Sequence, residues 1–319
     1  MRQAKITATG SYLPEKIMTN ADLEKLVDTT DEWITTRTGI KQRHIAADSQ
    51  VTSDLAYEAA LDLLKHSNVK VEDIEMIIVA TTTPDLTFPS TAAILQSKLG
   101  ATKAFAFDVQ AVCSGFIYAL TTANNYIKTG QVKNALIFGA ETISRILDWE
   151  DRNSCVLFGD GAGAVFLEES DSEDHGILAT KLYSNGELNG ILRTDGGVST
   201  NQKSGHIHMQ GREVFKHAVE KMASSIEAIL EKTGHNKDDV SFVIPHQANK
   251  RILSAVANRL DMPEDKMVMT VDKHSNTSAA SIPLALNDVN RAGKIKSGDL
   301  IIMEALGGGL TWGAAAIKW

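Results

Sequence analysis

The sequence predicts an α/β protein assembled from two similar halves, each a mostly parallel sheet covered by helices on both faces. Three observations carry that prediction. "VEDIEMIIVATTT" from Val71 and "KDDVSFVIPHQAN" from Lys237 read alike, with Asp73 and Asp239, 166 residues apart, each leading into an apolar strand. "CSGFIYALTTANNYIKTGQVKNALIFGAE" from Cys113 matches "NTSAASIPLALNDVNRAGKIKSGDLIIMEA" from Asn276 more closely, at an offset of 163 that Gly130 and Gly293 repeat. Each half then closes on a Gly-rich apolar segment, "LFGDGAGAVFLEE" or "LGGGLTWGAAAIKW", read as a hairpin. Strands that are apolar along their whole length are buried on both faces, the mark of parallel sheets between helices. The halves are placed at 1–172 and 173–319.

The elements follow in chain order. "SDLAYEAALDLLKHS" is a periodic helix and Met76–Val79 the strand after it. Ser114–Lys128 carries Phe116, Ile117, Leu120, Ala123 and Ile127 on one stripe, ends at Gly130, and passes through a basic turn at Lys133 into the next strand. The second half repeats the series. "FKHAVEKMASSIEAILEKTG" is the long helix, Phe242–Ile244 the strand, and Pro245 ends it. An amphipathic helix then carries Ile252, Leu253, Val256 and Leu260. The segment from Asn276 is the second apolar helix, stopped by Gly293, turned at Lys296 and followed by the last strands.

Composition narrows the class. A chain of 319 residues, 43% hydrophobic and 23% charged, is globular and long enough to bury a large core without staples. Two cysteines form no disulfide framework and fit a reducing compartment. The opening "MRQAKITATGSYLPEK" lacks an apolar stretch of signal-peptide length, and no later run approaches a membrane span. The expectation is a soluble, cytoplasmic protein. A net charge of −8 argues against nucleic acid as the main partner while leaving room for a local basic patch.

Cys113 is the first candidate for chemistry. A buried cysteine is usually a small apolar filler. At the N-terminus of a buried helix, however, the positive dipole end and free N–H groups favour the thiolate. Cys155, in "DRNSCVLFGDG", sits at the expected start of a strand among apolar neighbours and reads as filler. His246 stands where the strand ends and caps the entry to the next helix, so a capping or core role competes with a catalytic one. Asn276 begins the helix aligned with that of Cys113, where an N-cap is the ordinary use of Asn. His274 competes for the same pocket and ranks lower, because the helix alignment selects Asn276.

Other motifs are weaker. "GDGAGA" is followed by strand-like "VFLEE", whereas a dinucleotide fingerprint needs a helix there, so a hairpin turn is the reading. His206 and His208 alternate as on a strand face and lack a third ligand, so no metal site is expected. A duplicated α/β unit places its site where the halves meet, and Cys113, His246 and Asn276 fall at related strand-to-helix junctions. Such a set suits two chemistries. One is papain-like hydrolysis, in which His deprotonates Cys and Asn orients His. The other is acyl transfer to carbon, in which Cys holds an acyl group while His and Asn stabilise an enolate oxygen. The duplication favours the second; spacing alone does not separate them.

At these residues the chain resembles the β-ketoacyl-acyl carrier protein synthase III family, within the thiolase-like superfamily. "GSYLPEKIMTNADLEKLVDTTDEWITTRTGIKQRHIA", "AVCSGF", "GDGAGA", "PHQAN", "HSNTSAASIP" and "GGGLTWG" follow in family order along the full length. The resemblance implies a thiolase-like fold, two βαβαβαββ-type halves forming a layered α-β-α-β-α core. It makes Cys113, His246 and Asn276 the catalytic set. Elongating relatives carry a second His where this chain has Asn276, and thiolases need a second Cys, whereas no cysteine follows residue 155. The implied activity is initiation of type II fatty acid synthesis: a short acyl-CoA primer is condensed with malonyl-acyl carrier protein through an acyl-Cys intermediate.

Further roles are likewise implied by the resemblance. The backbone N–H groups of Cys113 and Gly308 would hold the oxyanion. Thr29, Trp33, Arg37 and Arg152 would bind CoA, and Lys216, Arg251 and Arg259 would dock acyl carrier protein. Phe88, in "LTFPST", would reach across a homodimer into the partner's acyl pocket. Asn258 stands at a position that is often basic, and Arg212 at one that is often Asn near the pantetheine tunnel. No metal or other cofactor is implied, since the CoA thioester and the carrier's phosphopantetheine arm act as substrates. The competing readings are a related thiolase-fold acyltransferase or secondary-metabolite synthase that uses CoA without acyl carrier protein, and a catalytically dead scaffold.

Overall fold

The computed structural model describes residues 3–172 and 175–319. The expected boundary between the halves lies between Ser172 and Glu173, and Glu173 and Asp174 lie outside the described residues. The first half runs β1 (Gln3–Tyr12), β2 (Lys16–Thr19), α1 (Asn20–Leu23), α2 (Asp31–Thr38), β3 (Gln42–Ile45) and α3 (Thr52–Lys65). It continues through β4 (Met76–Ala80), α4 (Thr91–Leu99), β5 (Phe105–Val109), α5 (Gly115–Lys128), β6 (Asn134–Glu141) and β7 (Gly161–Ser170). The second half runs β8 (Gly176–Ser184), β9 (Leu192–Thr194), α6 (Val198–Asn201), β10 (Ile207–Met209) and α7 (Gly211–Thr233). It ends with β11 (Val240–Pro245), α8 (Lys250–Arg259), α9 (Val271–His274), α10 (Ser281–Arg291), β12 (Leu300–Gly307) and β13 (Thr311–Lys318).

Two sheets form the frame, in the orders β1-β7-β6-β4-β5 and β11-β12-β13-β8. β8, β13, β12 and β11 repeat the order of β1, β7, β6 and β4, and the counterpart of β5 is reduced to one parallel bridge between Val243 and Met267. The expected mostly parallel sheets are mixed. β4 pairs parallel with β5 and β6, and β11 with β12, but β7 and β13 each run antiparallel to both neighbours. The Gly-rich segments cause this by reversing the chain after β6 and β12. Only the second is a tight hairpin. After β6, residues 142–160 intervene before "GDGAGA" leads into β7, so that motif opens a strand and is not a hairpin turn.

Alternation along the strands builds five layers. Ile77 and Val79 of β4 face α3 and α4 in one outer core, while Met76, Ile78 and Ala80 face the centre. On β12, Ile301, Met303 and Ala305 face the centre and Leu300, Ile302 and Leu306 face α7 and α8. α5 and α10 occupy the centre between the sheets, which gives the expected α-β-α-β-α order. The turn before α10 packs against β6 only because residue 139 is glycine: an added Cβ there would lie 2.0 Å from the Ala279 carbonyl oxygen. Among the described residues no helix is long and apolar enough to cross a membrane.

The repeat register differs from the expected one at the decisive place. Short 3-10 turns, Val112–Ser114 and Ser278–Ala280, precede α5 and α10, and both turns and helices start 166 residues apart. Val112 and Ser278 open these turns at the same unusual φ, +49° and +50°. The counterpart of Cys113 is therefore Ala279. The offset of 163 holds only at the helix ends, because α10 has 11 residues where α5 has 14. Asn276 precedes the turn instead of beginning the helix.

Candidate active site

A cavity of about 720 Å³ runs from exposed Arg37, Arg212 and Arg251 to buried Cys113, His246 and Asn276. Each buried group is held by its own element. Cys113 sits in the turn that feeds the N-terminus of α5 and is 5% exposed. Burial pushes its thiol up to about 12 and the charge of Glu141 adds to this, while a hydrogen bond with Ser278 and its own backbone N–H act in the opposite direction. The resting sulfur is thus a thiol, and the expected thiolate preference at a helix N-terminus is outweighed by desolvation.

His246 follows β11 directly, and its N–H donates to the Glu304 carbonyl at 2.7 Å. It does not cap α8; Asn249 does, with Oδ1 accepting from Ile252 N–H at 3.0 Å. Gln247 fixes the loop by donating to the Pro245 and Val268 carbonyls and accepting from Thr270 N–H. Burial pushes the imidazole down to about 3, so His246 is neutral. Its Nδ1 lies 2.7 Å from Ser281 Oγ, which also accepts from Gln247 N–H at 3.3 Å. With Ser281 O–H donating to Nδ1, the imidazole proton resides on Nε2.

Asn276 is held by its backbone. Its N–H donates to the Leu157 carbonyl at 2.9 Å and its carbonyl accepts from Gly159 N–H at 3.1 Å. Its side-chain Oδ1 accepts from Ser278 N–H at 2.9 Å, which leaves Nδ2 as the group that donates outward. The cavity thus joins a buried thiol, a neutral imidazole and an oriented carboxamide. His274 is not among the lining residues; it is buried 3.4 Å from the Asp288 carboxylate.

Comparison with known proteins decides the family. The model of 3-oxoacyl-[acyl-carrier-protein (ACP)] synthase III matches residues 107–186, and that of its C-terminal part matches 230–319. The beta-ketoacyl-[acyl-carrier-protein] synthase III of Rhodospirillum centenum is 54% identical over 98% of both chains. The chain belongs to the β-ketoacyl-[acyl-carrier-protein] synthase III family. It is an acyltransferase of the condensing type, and its fold is thiolase-like. The crystal structure of the Aquifex aeolicus synthase III superposes with a TM-score of 0.95 at 50% identity, covering 99% of this chain and 100% of that one. A priming β-ketosynthase from the R1128 polyketide pathway matches at a TM-score of 0.93 but 31% identity, so the secondary-metabolite alternative is not favoured.

The remaining residues expected from family resemblance occupy three regions. Around the mouth, Trp33 and Arg37 line the cavity on α2, whose N-cap Thr30 accepts from Trp33 N–H at 3.1 Å. The guanidinium carbons of Arg37 and Arg152 lie 5.4 and 5.3 Å from the Trp33 ring centre. Thr29 and Arg152 are not lining residues; the Thr29 hydroxyl is buried without a partner among the described residues, and Arg152 donates to the Asp28 carbonyl at 2.6 Å. On the rim, Arg251 lies 5.7 Å from the Phe215 ring, while Arg259 and Lys216 are exposed on α8 and α7. At the floor, the turn between β12 and β13 packs on the Cys113 turn: a Cβ on Gly307 would lie 2.7 Å from Cys113 N, and one on Gly308 3.6 Å from Val112 Cγ2.

Phe88 points elsewhere, 82% exposed on the loop before α4 beside half-exposed Leu86. Cys155 is fully buried in a turn within residues 151–157, not at a strand start, and packs among Leu23, Ile34 and Val271. His208 Nε2 meets Asp195 at 3.0 Å, and among the described residues no group of three His, Cys, Asp or Glu is placed to hold a metal. Sequence reasoning missed Ser281, Ser278 and Glu141. Both serines lie inside the quoted "HSNTSAASIP", and Glu141 is a lone acid ending an apolar strand, the only signals available for them.

Proposed function

We propose that this cavity condenses a short acyl-CoA primer with malonyl-acyl carrier protein through an acyl group held on Cys113. The observation that supports it best is the neutral His246 imidazole and the outward Asn276 Nδ2–H group in one cavity with the only cysteine that reaches it. The Cys113 thiolate attacks the acyl-CoA thioester, and CoA leaves. Malonyl-acyl carrier protein then loses CO2, and the thioester enolate oxygen takes hydrogen bonds from His246 and Asn276. The enolate carbon attacks the acyl-Cys carbonyl, whose oxyanion is held by the N–H groups of Cys113 and Gly308. Decarboxylation generates the carbanion, so no strong base is required, and a His held neutral suits that task. Papain-like hydrolysis would instead need His246 to take the thiol proton, for which a group pushed down to about 3 is poorly matched.

The mouth suits the two thioester carriers. The adenine of CoA would stack on Trp33 between Arg37 and Arg152, with the free Thr29 hydroxyl beside it. Lys216, Arg251 and Arg259 would receive the acidic carrier protein. Phe88 would enter the acyl pocket of a second copy in a cytoplasmic homodimer. The chemistry calls for no metal. Peptide mass spectrometry after incubation with acyl-CoAs is the test. An acyl mass on the Cys113 peptide, followed by a 3-ketoacyl product once malonyl-acyl carrier protein is added, is the expected result. Absence of the adduct refutes the nucleophile, and an adduct that never condenses refutes the reaction.

A further inference from the structure

Glu141 ends β6 with a fully buried side chain and has no role in the steps above. Its carboxylate gathers donors from two directions. Thr82 N–H reaches its two oxygens at 3.2 and 3.1 Å, and the hydroxyls of Thr83 and Thr81 lie at 2.6 and 3.3 Å. Backbone N–H groups aim those hydroxyls. Thr142 N–H donates to Thr83 Oγ1 and Thr83 N–H to Thr81 Oγ1, so both O–H bonds point at the carboxylate. From the opposite side Ser278 Oγ donates to Glu141 Oε1 at 3.0 Å. Among the described residues no cation pairs with Glu141. A buried charge is satisfied here by hydrogen bonds alone, while burial favours its taking a proton.

Ser278 is placed between this acid and the nucleophile. The repeat sets its turn against that of Cys113, a Cβ on Gly115 lying 3.6 Å from Ala279 Cβ across the contact. Its N–H is held by Asn276 Oδ1 and its hydroxyl donates to Glu141, while Ser278 and Cys113 line the same cavity and Ser278 acts to hold the Cys113 thiol down against burial. We propose that Glu141, acting through the Ser278 hydroxyl, accepts the proton that must leave Cys113 to form the thiolate. The inference rests on Cys113 being the nucleophile. The S–H bond breaks as its proton passes to Ser278 Oγ, and the Ser278 proton passes to Glu141 Oε1. One S–H and one O–H bond break and two O–H bonds form, so the hydroxyl is regenerated and the carboxyl is neutral. The net charge of the buried site is unchanged: one negative charge moves from carboxylate to sulfur, where the N-terminus of α5 faces it. Two adjacent buried anions are thereby avoided. CoA thiolate takes a proton from water on leaving. When the enolate expels Cys113, the relay runs backwards.

The test compares Cys113 alkylation by iodoacetamide and single-turnover acylation by acyl-CoA in wild type, Glu141→Gln and Ser278→Ala at neutral pH. The relay predicts that both variants slow both reactions, on the order of 10²-fold. It also predicts a solvent deuterium effect on wild-type acylation that Ser278→Ala abolishes. If Glu141 only repels the thiolate, Glu141→Gln speeds alkylation instead, and that result or an unchanged rate overturns the proposal. Should Glu141→Gln fail to fold, Ser278→Ala decides alone, since it leaves the acid in place. Wild-type acylation mapped to Cys113 tests the underlying reading separately. The alkylation rates judge the relay whichever way that result falls.

Discussion

Asn276→Asp isolates one hydrogen-bond donor. The side chain keeps its shape, and Oδ1 still accepts from Ser278 N–H at 2.9 Å, so the turn before α10 retains its anchor. What is lost is the Nδ2–H group, replaced by an oxygen aimed at the place where enolate charge develops. Loss of one such donor costs about 2.7–4 kcal/mol, or 10²- to 10³-fold, in the step it serves. Release of CO2 from malonyl-acyl carrier protein should fall by that factor, while acylation of Cys113 by acyl-CoA stays near wild type. A sign follows from burial. Asn276 is 6% exposed, so a carboxyl there is pushed up, and its protonated form again carries a donor. Decarboxylation by the variant should therefore recover as pH falls, in contrast to wild type. Asn276→Ala is the control for shape: it strands the Ser278 N–H, adding about 1–3 kcal/mol of instability that Asp avoids. CO2 release by Asn276→Asp within a few-fold of wild type at pH 8 would refute the two-donor reasoning.

Three further perturbations test other links. His246 is neutral in the folded state down to about 3, whereas unfolded His protonates near 6.5, so the unfolded chain binds more protons between those values and stability falls as pH drops through that window. At pH 5 the cost relative to pH 7 is about 2 kcal/mol, and denaturant titrations of wild type and His246→Gln should diverge by roughly that amount. Gly139→Ala would put a methyl 2.0 Å from the Ala279 carbonyl and force the turn before α10 outward; a loss of about 1–3 kcal/mol in thermal or denaturant unfolding is expected, with no loss refuting the packing argument. Trp33→Ala removes the ring flanked by Arg37 and Arg152, so KM for acyl-CoA should rise about tenfold with little change in kcat, and the opposite split would remove Trp33 from the CoA site.

What the sequence disclosed and what it withheld have one physical origin. Helix stripes, covered sheets and the strand-to-helix junctions are written in hydrophobic periodicity, which is local, so the positions of Cys113 and His246 were legible, while the five-layer order came only with the family resemblance. Register was legible only to within three residues. Gly130 and Gly293 do align at 163, but the gap lies inside α10, and nothing in an apolar helix marks where a turn of it has been omitted. Parallel against antiparallel pairing was misread for a similar reason, because β7 is buried on both faces and its apolar run is that of a parallel strand.

The corrected register also explains what no local signal shows. In the 166 frame the two halves bring two equivalent strained turns together, Val112–Ser114 and Ser278–Ala280, each opened by a residue at positive φ and each feeding a central helix. Left-handed backbone at Val112 and Ser278 costs on the order of 1–3 kcal/mol each and persists only because the layered core fixes both turns. The duplication thus supplies a place where two helix N-termini meet, and the halves then diverge in what they put there. One contributes the sulfur; the other contributes Ser278 and, ahead of it, Asn276. Glu141 follows from that meeting. It ends the strand that lies beneath the second turn, so a charge that would be intolerable alone finds four donors there, and through one of them, Ser278, the proposed relay brings it the proton of Cys113.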